Sequence, residues 1–108
     1  MTTFDKRKEG FESKFAHDEE LRFRATARRN RLLGLWAAEK LGLQAEEAEA
    51  YARSVVIADL ALPGDEDVYQ KIRADFDAKN VLQSDHQIRR TMDELMGKAV
   101  EQIQSVQK

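Results

Sequence analysis

The sequence has 108 residues, a length that suits one small domain with tails and is short for an enzyme with a separate lid. One proline, five glycines and 35% charged residues leave long stretches without helix breakers, so the composition favours an all-α protein. The net charge of −2 argues against nucleic-acid binding, the lack of cysteine excludes disulfides and thiolate chemistry, and no apolar run approaches the ~20 residues of a membrane span.

Residues 1–17 form a mostly polar segment whose only large apolar residues are Phe4, Phe11 and Phe15. Spacings of seven and four residues place all three on one face of a helix, which Gly10 weakens by about 1 kcal/mol relative to alanine. This apolar surface is too small to build a core, so we predict a mobile arm that becomes helical on binding a partner. The alternatives are that the phenylalanines fold back onto the domain, or that the segment is disordered and has no role.

The segment from Asp18 to Leu43 is predicted to be a scaffold helix of roughly 35 Å, with Gly42 as its stop signal. It is a basic band with six basic residues and one acidic residue within residues 21–43. Apolar residues recur on one side of this helix, with Trp36 as a core anchor: Leu21, Ala25, Leu32, Leu35, Trp36 and Leu43. Five arginines are predicted to fall largely outside this stripe: Arg22, Arg24, Arg28, Arg29 and Arg31.

Two more helices follow the scaffold helix. The second begins after Gly42 and ends at Pro63-Gly64, and its alanines allow a close approach to the scaffold helix. The third is predicted to start with Asp65 as its N-cap and to present Val68, Ile72 and Phe76 on one face.

A fourth helix begins at Ser84, because Ser84 and Gln87 have the Ser-x-x-Gln spacing of a capping box. An apolar seam follows: Ile88, Met92, Leu95, Met96, Ala99, Ile103 and Val106. Connections of a few residues favour antiparallel neighbours, so residues 18–108 are predicted to be a small four-helix bundle preceded by the arm.

Motifs for phosphate loops, dinucleotide turns and zinc sites are missing from the sequence, so we predict neither catalytic nor metal-ligating residues and no enzyme. The acidic run from Asp65 to Asp67 is interpreted as helix capping. His86 is interpreted as a solvated first-turn residue. His17 is interpreted in the same way, with the alternative that its protonation alters the extension of the scaffold helix.

The arginine-rich face has three interpretations. The favoured one is a solvated surface balanced by the acidic second and third helices. A second is a site for ADP or ATP as a regulatory ligand, because arginine supplies forked donors for phosphate without a loop motif. Its candidate residues are Arg22, Arg28, Arg29 and Arg31. Nucleic-acid binding is disfavoured, because the band lacks interleaved aromatic residues.

Four short strings resemble the zeta-subunit family of alphaproteobacterial F-type ATP synthases, and the resemblance extends over essentially the full chain. They are TTFD at Thr2 to Asp5, KFAHD at Lys14 to Asp18, ARRNRLLG at Ala27 to Gly34 (followed by Trp36-Ala37), and PGDEDV at Pro63 to Val68. The resemblance implies an ATPase inhibitor with a four-helix bundle. Its arm would enter between the catalytic α and β subunits of F1 and block rotation of the central γ stalk in the hydrolytic direction.

On this basis we predict apolar anchors and polar contacts in the arm. The anchors are Phe4, Phe11 and Phe15, of which Phe11 rests on helical spacing alone, and the polar contacts are Asp5, Arg7, Lys14 and His17. The expected protein needs no cofactor, is monomeric when free and does not insert into the membrane. The N-terminal segment has no apolar stretch behind its charges, so we expect a cytoplasmic protein that binds F1 at the inner membrane's cytoplasmic face.

Overall fold

The computed structural model consists of four α-helices, and no strand occurs in the part of the chain that it describes. It describes the backbone of residues 3–61 and 64–106 and the side chains of residues 19–61 and 64–105. The helices are α1 (Thr3–Lys40), α2 (Ala45–Ala61), α3 (Asp65–Ala78) and α4 (Asp85–Val106). The predicted all-α four-helix architecture is confirmed. Within the described part, no helix combines the length and apolar character that a membrane span requires.

The predicted boundary between arm and bundle falls inside α1. The backbone of α1 begins at Thr3, and its side chains are described from Glu19 onward. The division at residues 17 and 18 therefore lies outside the described side chains and stays a prediction. Pro63, the expected end of the second helix, also lies outside the described residues, and α2 ends at Ala61.

Gly42 terminates α1 through a Schellman motif, as its position predicts. Its N–H donates to the carbonyl of Glu39 at 3.1 Å, and the N–H of Leu43 donates to the carbonyl of Ala38 at 2.8 Å. Gly42 has a φ of 79°, a left-handed conformation that glycine adopts without a Cβ clash. The last helical residue is Lys40, slightly earlier than predicted.

The capping box at the start of α4 is confirmed. The backbone N–H of Gln87 donates to Ser84 Oγ, and the backbone N–H of Ser84 donates to Gln87 Oε1, both at 3.1 Å. These bonds satisfy donors that the first turn of a helix leaves unpaired. The start of α4 is therefore specified locally by two side chains.

The prediction that Asp65 caps α3 is wrong. Gly64 occupies the N-cap position and makes no side-chain capping bond, and Asp65 is the first helical residue. The carboxylate of Asp65 accepts a hydrogen bond from Arg29 of α1 instead. A guanidinium donor makes a stronger, charge-assisted bond than a neutral backbone amide, which explains why the carboxylate turns toward α1.

The buried face of α1 also differs from the predicted stripe, since only Ala25 of the six predicted residues is fully buried and the other five are half-buried. Among the described side chains of α1, the fully buried ones are Ala25, Arg29, Asn30, Leu33, Ala37 and Ala38. α1 packs against both α2 and α4. Apart from Leu33, these buried residues are small or polar, so the positions of large apolar side chains do not reveal the buried face.

The hydrophobic core draws on all four helices. Val68, Ile72 and Phe76 of α3 are fully buried, as predicted. Trp36 packs against this core with its ring centroid 5.7 Å from that of Phe76, which confirms its role as an anchor. The predicted α4 seam is largely buried. Ile88, Met92, Ala99 and Ile103 are buried, and Leu95 and Met96 are half-buried. The side chain of Val106 lies outside the described residues.

Gly34 lies at a close contact between α1 and α2. A Cβ at this position would lie 2.5 Å from Ala52 Cα and 3.1 Å from Ala52 Cβ. Because the first of these is a backbone atom, no side-chain rotation relieves the clash. The predicted use of alanine for close helix packing is confirmed at Ala52, and its counterpart is the glycine of the ARRNRLLG string.

We expect Gly34→Ala to lower the free energy of unfolding by about 1–3 kcal/mol, because α1 and α2 must separate to admit the methyl group. Gly97→Ala is the matched control, since a Cβ at Gly97 in α4 meets nothing within 4 Å. Better helix propensity should make this control more stable, by up to about 1 kcal/mol. Urea unfolding followed by circular dichroism measures both changes, and equal stability of the two variants would contradict the proposed close contact.

Candidate functional site

Arg29 is the largest fully buried side chain in the described part of the protein, with 1% of its surface exposed. Its Nη2 donates to Asp65 Oδ1 and its Nε donates to Asn30 Oδ1, both at 2.8 Å. A buried charge requires such partners, because it has lost its hydration. Arg29 thereby joins α1 to the first turn of α3. The prediction that it lies outside the buried face of α1 is wrong.

Asn30 extends these contacts to the last turns of α2. Its Nδ2 donates to Asp59 Oδ2 at 2.9 Å, and Asp59 Oδ1 accepts a 3.1 Å bond from the backbone N–H of Gly64. We call the four side chains Arg29, Asn30, Asp59 and Asp65 the Arg29 network. Every buried side-chain nitrogen and oxygen in the described part has a hydrogen-bond partner. The network therefore holds the end of α2 and the start of α3 against α1 without leaving an unsatisfied polar group.

A sequence signal for this network exists, although the sequence analysis missed it. Ala25, Arg29, Leu33 and Ala37 recur every four residues along α1, so Arg29 interrupts an otherwise apolar row. A charged residue in such a row is either at the edge of the buried face or paired within it. Only the position of Asp65, 36 residues away, decides between these two possibilities.

The other three candidate nucleotide ligands point to different places. Arg31 bonds both carboxylate oxygens of Glu49 on α2 at 3.0 Å, and Arg28 donates from Nε to Gln102 Oε1 on α4 at 2.6 Å. Arg22 borders clefts nearer the N-terminal end of α1. With Arg29 buried, the four arginines do not converge on one site. Nucleotide binding through them stays a prediction.

Two of these arginines share a groove with a third that the sequence analysis did not select. Arg28 and Arg31 of α1 and Arg53 of α2 surround an apolar floor that includes Val56 and Ile57. The groove has a volume of about 440 Å³. The structure thus places a basic rim around apolar side chains on the outer α1–α2 surface.

Two further clefts flank α1 where its described side chains begin. One lies between α1 and α4, has a volume of about 500 Å³ and includes Leu21, Met96 and Ile103 among its apolar residues. The other has a similar volume of about 500 Å³ and includes Phe23 and Leu60. Both clefts suit binding of apolar groups, and we identify no catalytic pairing in their linings.

The titratable groups with shifted pKa values serve helix–helix contacts. Burial and a 2.6 Å hydrogen bond to Asp75 raise the pKa of Tyr51 far above its ordinary value, so the phenol stays a donor between α2 and α3. The nearby Tyr69 hydroxyl and the Arg73 guanidinium, whose Nη1 donates to Asp85 Oδ1 at 3.0 Å, lower the pKa of Asp85. His86 is exposed, as predicted, and the described residues contain no group of three or more side chains suited to hold a metal ion.

The predicted partner contacts lie outside the described side chains and stay predictions. They are Phe4, Asp5, Arg7, Phe11, Lys14, Phe15 and His17. What the structure does describe is the point where α1 enters the bundle: the side chains of Glu19, Arg22, Phe23 and Arg24 are exposed, and Ala25 is the first fully buried one.

Comparison with known proteins gives a family match and similar solved structures. A family model described as ATPase inhibitor subunit zeta matches residues 1–102. A structure determined by solution NMR is 42% identical in sequence and aligns with a TM-score of 0.69, covering 79% of this chain and 96% of the other. No curated protein sequence matches the chain.

We expect Asp65→Ala to lower the free energy of unfolding by about 1–3 kcal/mol, because it leaves the buried guanidinium of Arg29 without its carboxylate. We place the cost in this range since the Asp65 side chain is 70% exposed and water can reach the contact. Asp67→Ala is the matched control, because it also removes an exposed first-turn carboxylate of α3. Similar losses in chemical unfolding would show that helix-dipole effects, and not the Arg29 contact, account for the change.

Proposed function

The chain belongs to the ATPase inhibitor subunit zeta family, and from this premise we propose that it blocks ATP hydrolysis by the F1 part of F-type ATP synthase by inserting its N-terminal arm. The arm, residues 1–17, enters a catalytic interface between α and β subunits and stops rotation of the γ subunit. Bound in this way, the protein lies at the cytoplasmic face of the inner membrane. The mechanism requires no chemistry from this chain.

The observation that carries the proposal is the length of α1 relative to the helices that pack on it. α1 has 38 residues, whereas α2, α3 and α4 have 17, 14 and 22. At about 1.5 Å per residue, α1 is roughly 57 Å long and α2 roughly 26 Å. Among the side chains that the structure describes, which start at Glu19, Ala25 is the first on α1 to be fully buried. A helix of this length can pack in the bundle at its C-terminal end and insert into F1 at its N-terminal end.

Inhibition by insertion requires that the inserted element be firmly held at its base. The Arg29 network and the Gly34–Ala52 contact attach α1 to α2 and α3 within ten residues of Ala25. A cleft that closes during turnover would push the arm against this base. Because the base is tightly packed, the load is transmitted to the whole bundle.

The arm supplies the affinity in this proposal. Burial of Phe4, Phe11 and Phe15 in a hydrophobic cleft would offset the entropy lost when the segment is ordered against F1. Asp5, Arg7, Lys14 and His17 would add polar contacts around these anchors. The aromatic anchors are expected to dominate, as buried aromatic residues generally do at interfaces.

We expect the intact protein to inhibit ATP hydrolysis by F1, and a version that begins at Leu21 to lose most of this inhibition. A full-length triple variant should inhibit at least tenfold more weakly, because it lacks three apolar anchors. In this variant serine replaces Phe4, Phe11 and Phe15. Steady-state hydrolysis by F1 from the same organism, measured against inhibitor concentration, tests both expectations.

The double variant Lys6→Ala/Lys8→Ala is the matched control, since both residues lie in the arm but outside the predicted contacts. Circular dichroism of each variant checks that the bundle is folded. Equal inhibition by the intact and shortened proteins would refute arm insertion. Absence of inhibition by the intact protein would refute the proposed function as a whole.

A further inference from the structure

The outer surface of α1 and α2 carries three large apolar side chains that the bundle does not cover. Phe23 is 64% exposed, Ile57 is 62% exposed and Leu60 is 58% exposed. Isolated apolar residues are common on protein surfaces, but clusters of them mark interaction sites. Whether these three form a cluster depends on how the two helices place them.

They form one surface, which we call the Phe23 patch and define as Phe23, Ile57 and Leu60. Phe23 and Leu60 line the same cleft between α1 and α2. Ile57 and Leu60 are three residues apart on α2, so they are neighbours on one face of that helix. The patch therefore runs continuously from the first described turns of α1 down the outer side of α2.

The end of the patch at Ile57 is basic. Arg28, Arg31 and Arg53 surround Ile57. Arg31 is paired with Glu49, whereas Arg28 bonds a neutral amide and Arg53 has no acidic group within ion-pairing distance among the described side chains. At the other end, the cleft at Phe23 and Leu60 is lined by Arg22 and by three acidic residues, Glu19, Asp59 and Asp65. Asp65 accepts a hydrogen bond from Arg29, and Asp59 accepts bonds from Asn30 and from the backbone N–H of Gly64. The positive charge that the patch offers to a partner therefore lies at its Ile57 end.

We propose that the Phe23 patch is a second docking surface for F1, contacting an acidic, partly apolar area of the motor beside the cleft that receives the arm. This inference rests on the proposed function. The arm ends at residue 17, and Phe23 lies six residues further along α1, about 9 Å at 1.5 Å per residue. A motor that holds the arm as far as residue 17 therefore lies close to this region of α1.

Aromatic residues and arginine are enriched at protein interfaces, and Phe23 and the arginines beside Ile57 supply both. A second contact next to the arm would act at high effective concentration once the arm is bound. The patch would mainly slow dissociation, and its arginines would mainly speed association at low salt. The arm alone would stop rotation, while the patch would keep the inhibitor in place.

The test compares full-length Ile57→Ser/Leu60→Ser with the wild-type protein in binding to immobilised F1 and in inhibition of hydrolysis. We expect the dissociation constant to rise about tenfold through faster dissociation, with full inhibition still reached at saturating concentration. Leu82→Ser is the matched control, because Leu82 is a 95% exposed leucine in the α3–α4 connection, outside the patch. Its affinity should stay within about twofold of wild type.

Arg53→Glu tests the charge of the partner. We expect it to slow association, more at low salt than at high salt, because exposed charges are screened. Faster association would show a basic partner surface and overturn the proposed charge complementarity.

Hydrogen exchange of the wild-type protein provides a test that does not depend on any variant's folding. F1 should protect backbone amides of residues 56–61 and leave those near Leu82 unchanged. Unprotected amides at 56–61, unchanged affinity of the double variant, or an equal loss in Leu82→Ser would each overturn the docking surface. The docking surface would also be overturned if the Ile57→Ser/Leu60→Ser variant lost self-association while its binding to F1 was unchanged. Since arm-dependent inhibition is measured in the same assay, the patch can fail while the proposed function stands.

Discussion

The structure depends on how the charge of Arg29 is accommodated. A guanidinium keeps its charge in folded proteins, and a buried charge is tolerated only when it is paired and hydrogen-bonded. Here the partners come from the start of α3, from the neighbouring Asn30 and, through Asn30, from the end of α2. The end of α2 and the start of α3 must therefore lie against α1. A packing in which the start of α3 moved away would leave the guanidinium without its carboxylate.

This constraint links the interior of the bundle to the task proposed for its long helix. The Arg29 network lies one turn after Ala25, the first fully buried residue among the described side chains of α1, and the glycine contact between α1 and α2 lies about one turn beyond Arg29. Both features hold the same part of α1. An inhibitor that works by insertion needs a stiff base at this position, and a polar network with defined partners supplies more geometric definition than apolar packing alone.

The same region determines which surfaces face outward. Arg29 and Asn30 occupy the buried side of α1, whereas Arg28 and Arg31 line the outer groove with Arg53, and Arg28 also bonds to Gln102 of α4. Phe23 is exposed near the end of α2, where α1 extends beyond full packing. The basic band of the sequence is thus divided into one internal structural arginine and an external rim.

The amino-acid sequence by itself determined the elements whose signals are local. The Gly42 stop, the capping box at Ser84 and the apolar face of α3 each depend on residues within a few positions of one another, so their physics is complete within one helix. The arm's predicted contacts rest on the sequence and on family resemblance alone. Only the tertiary structure decided the buried face of α1, the role of Asp65 and the distribution of the arginines. These depend on pairs such as Arg29 and Asp65, 36 residues apart. A carboxylate at a helix start can cap its own helix or bind a distant guanidinium, and the choice is made by which groups folding removes from water.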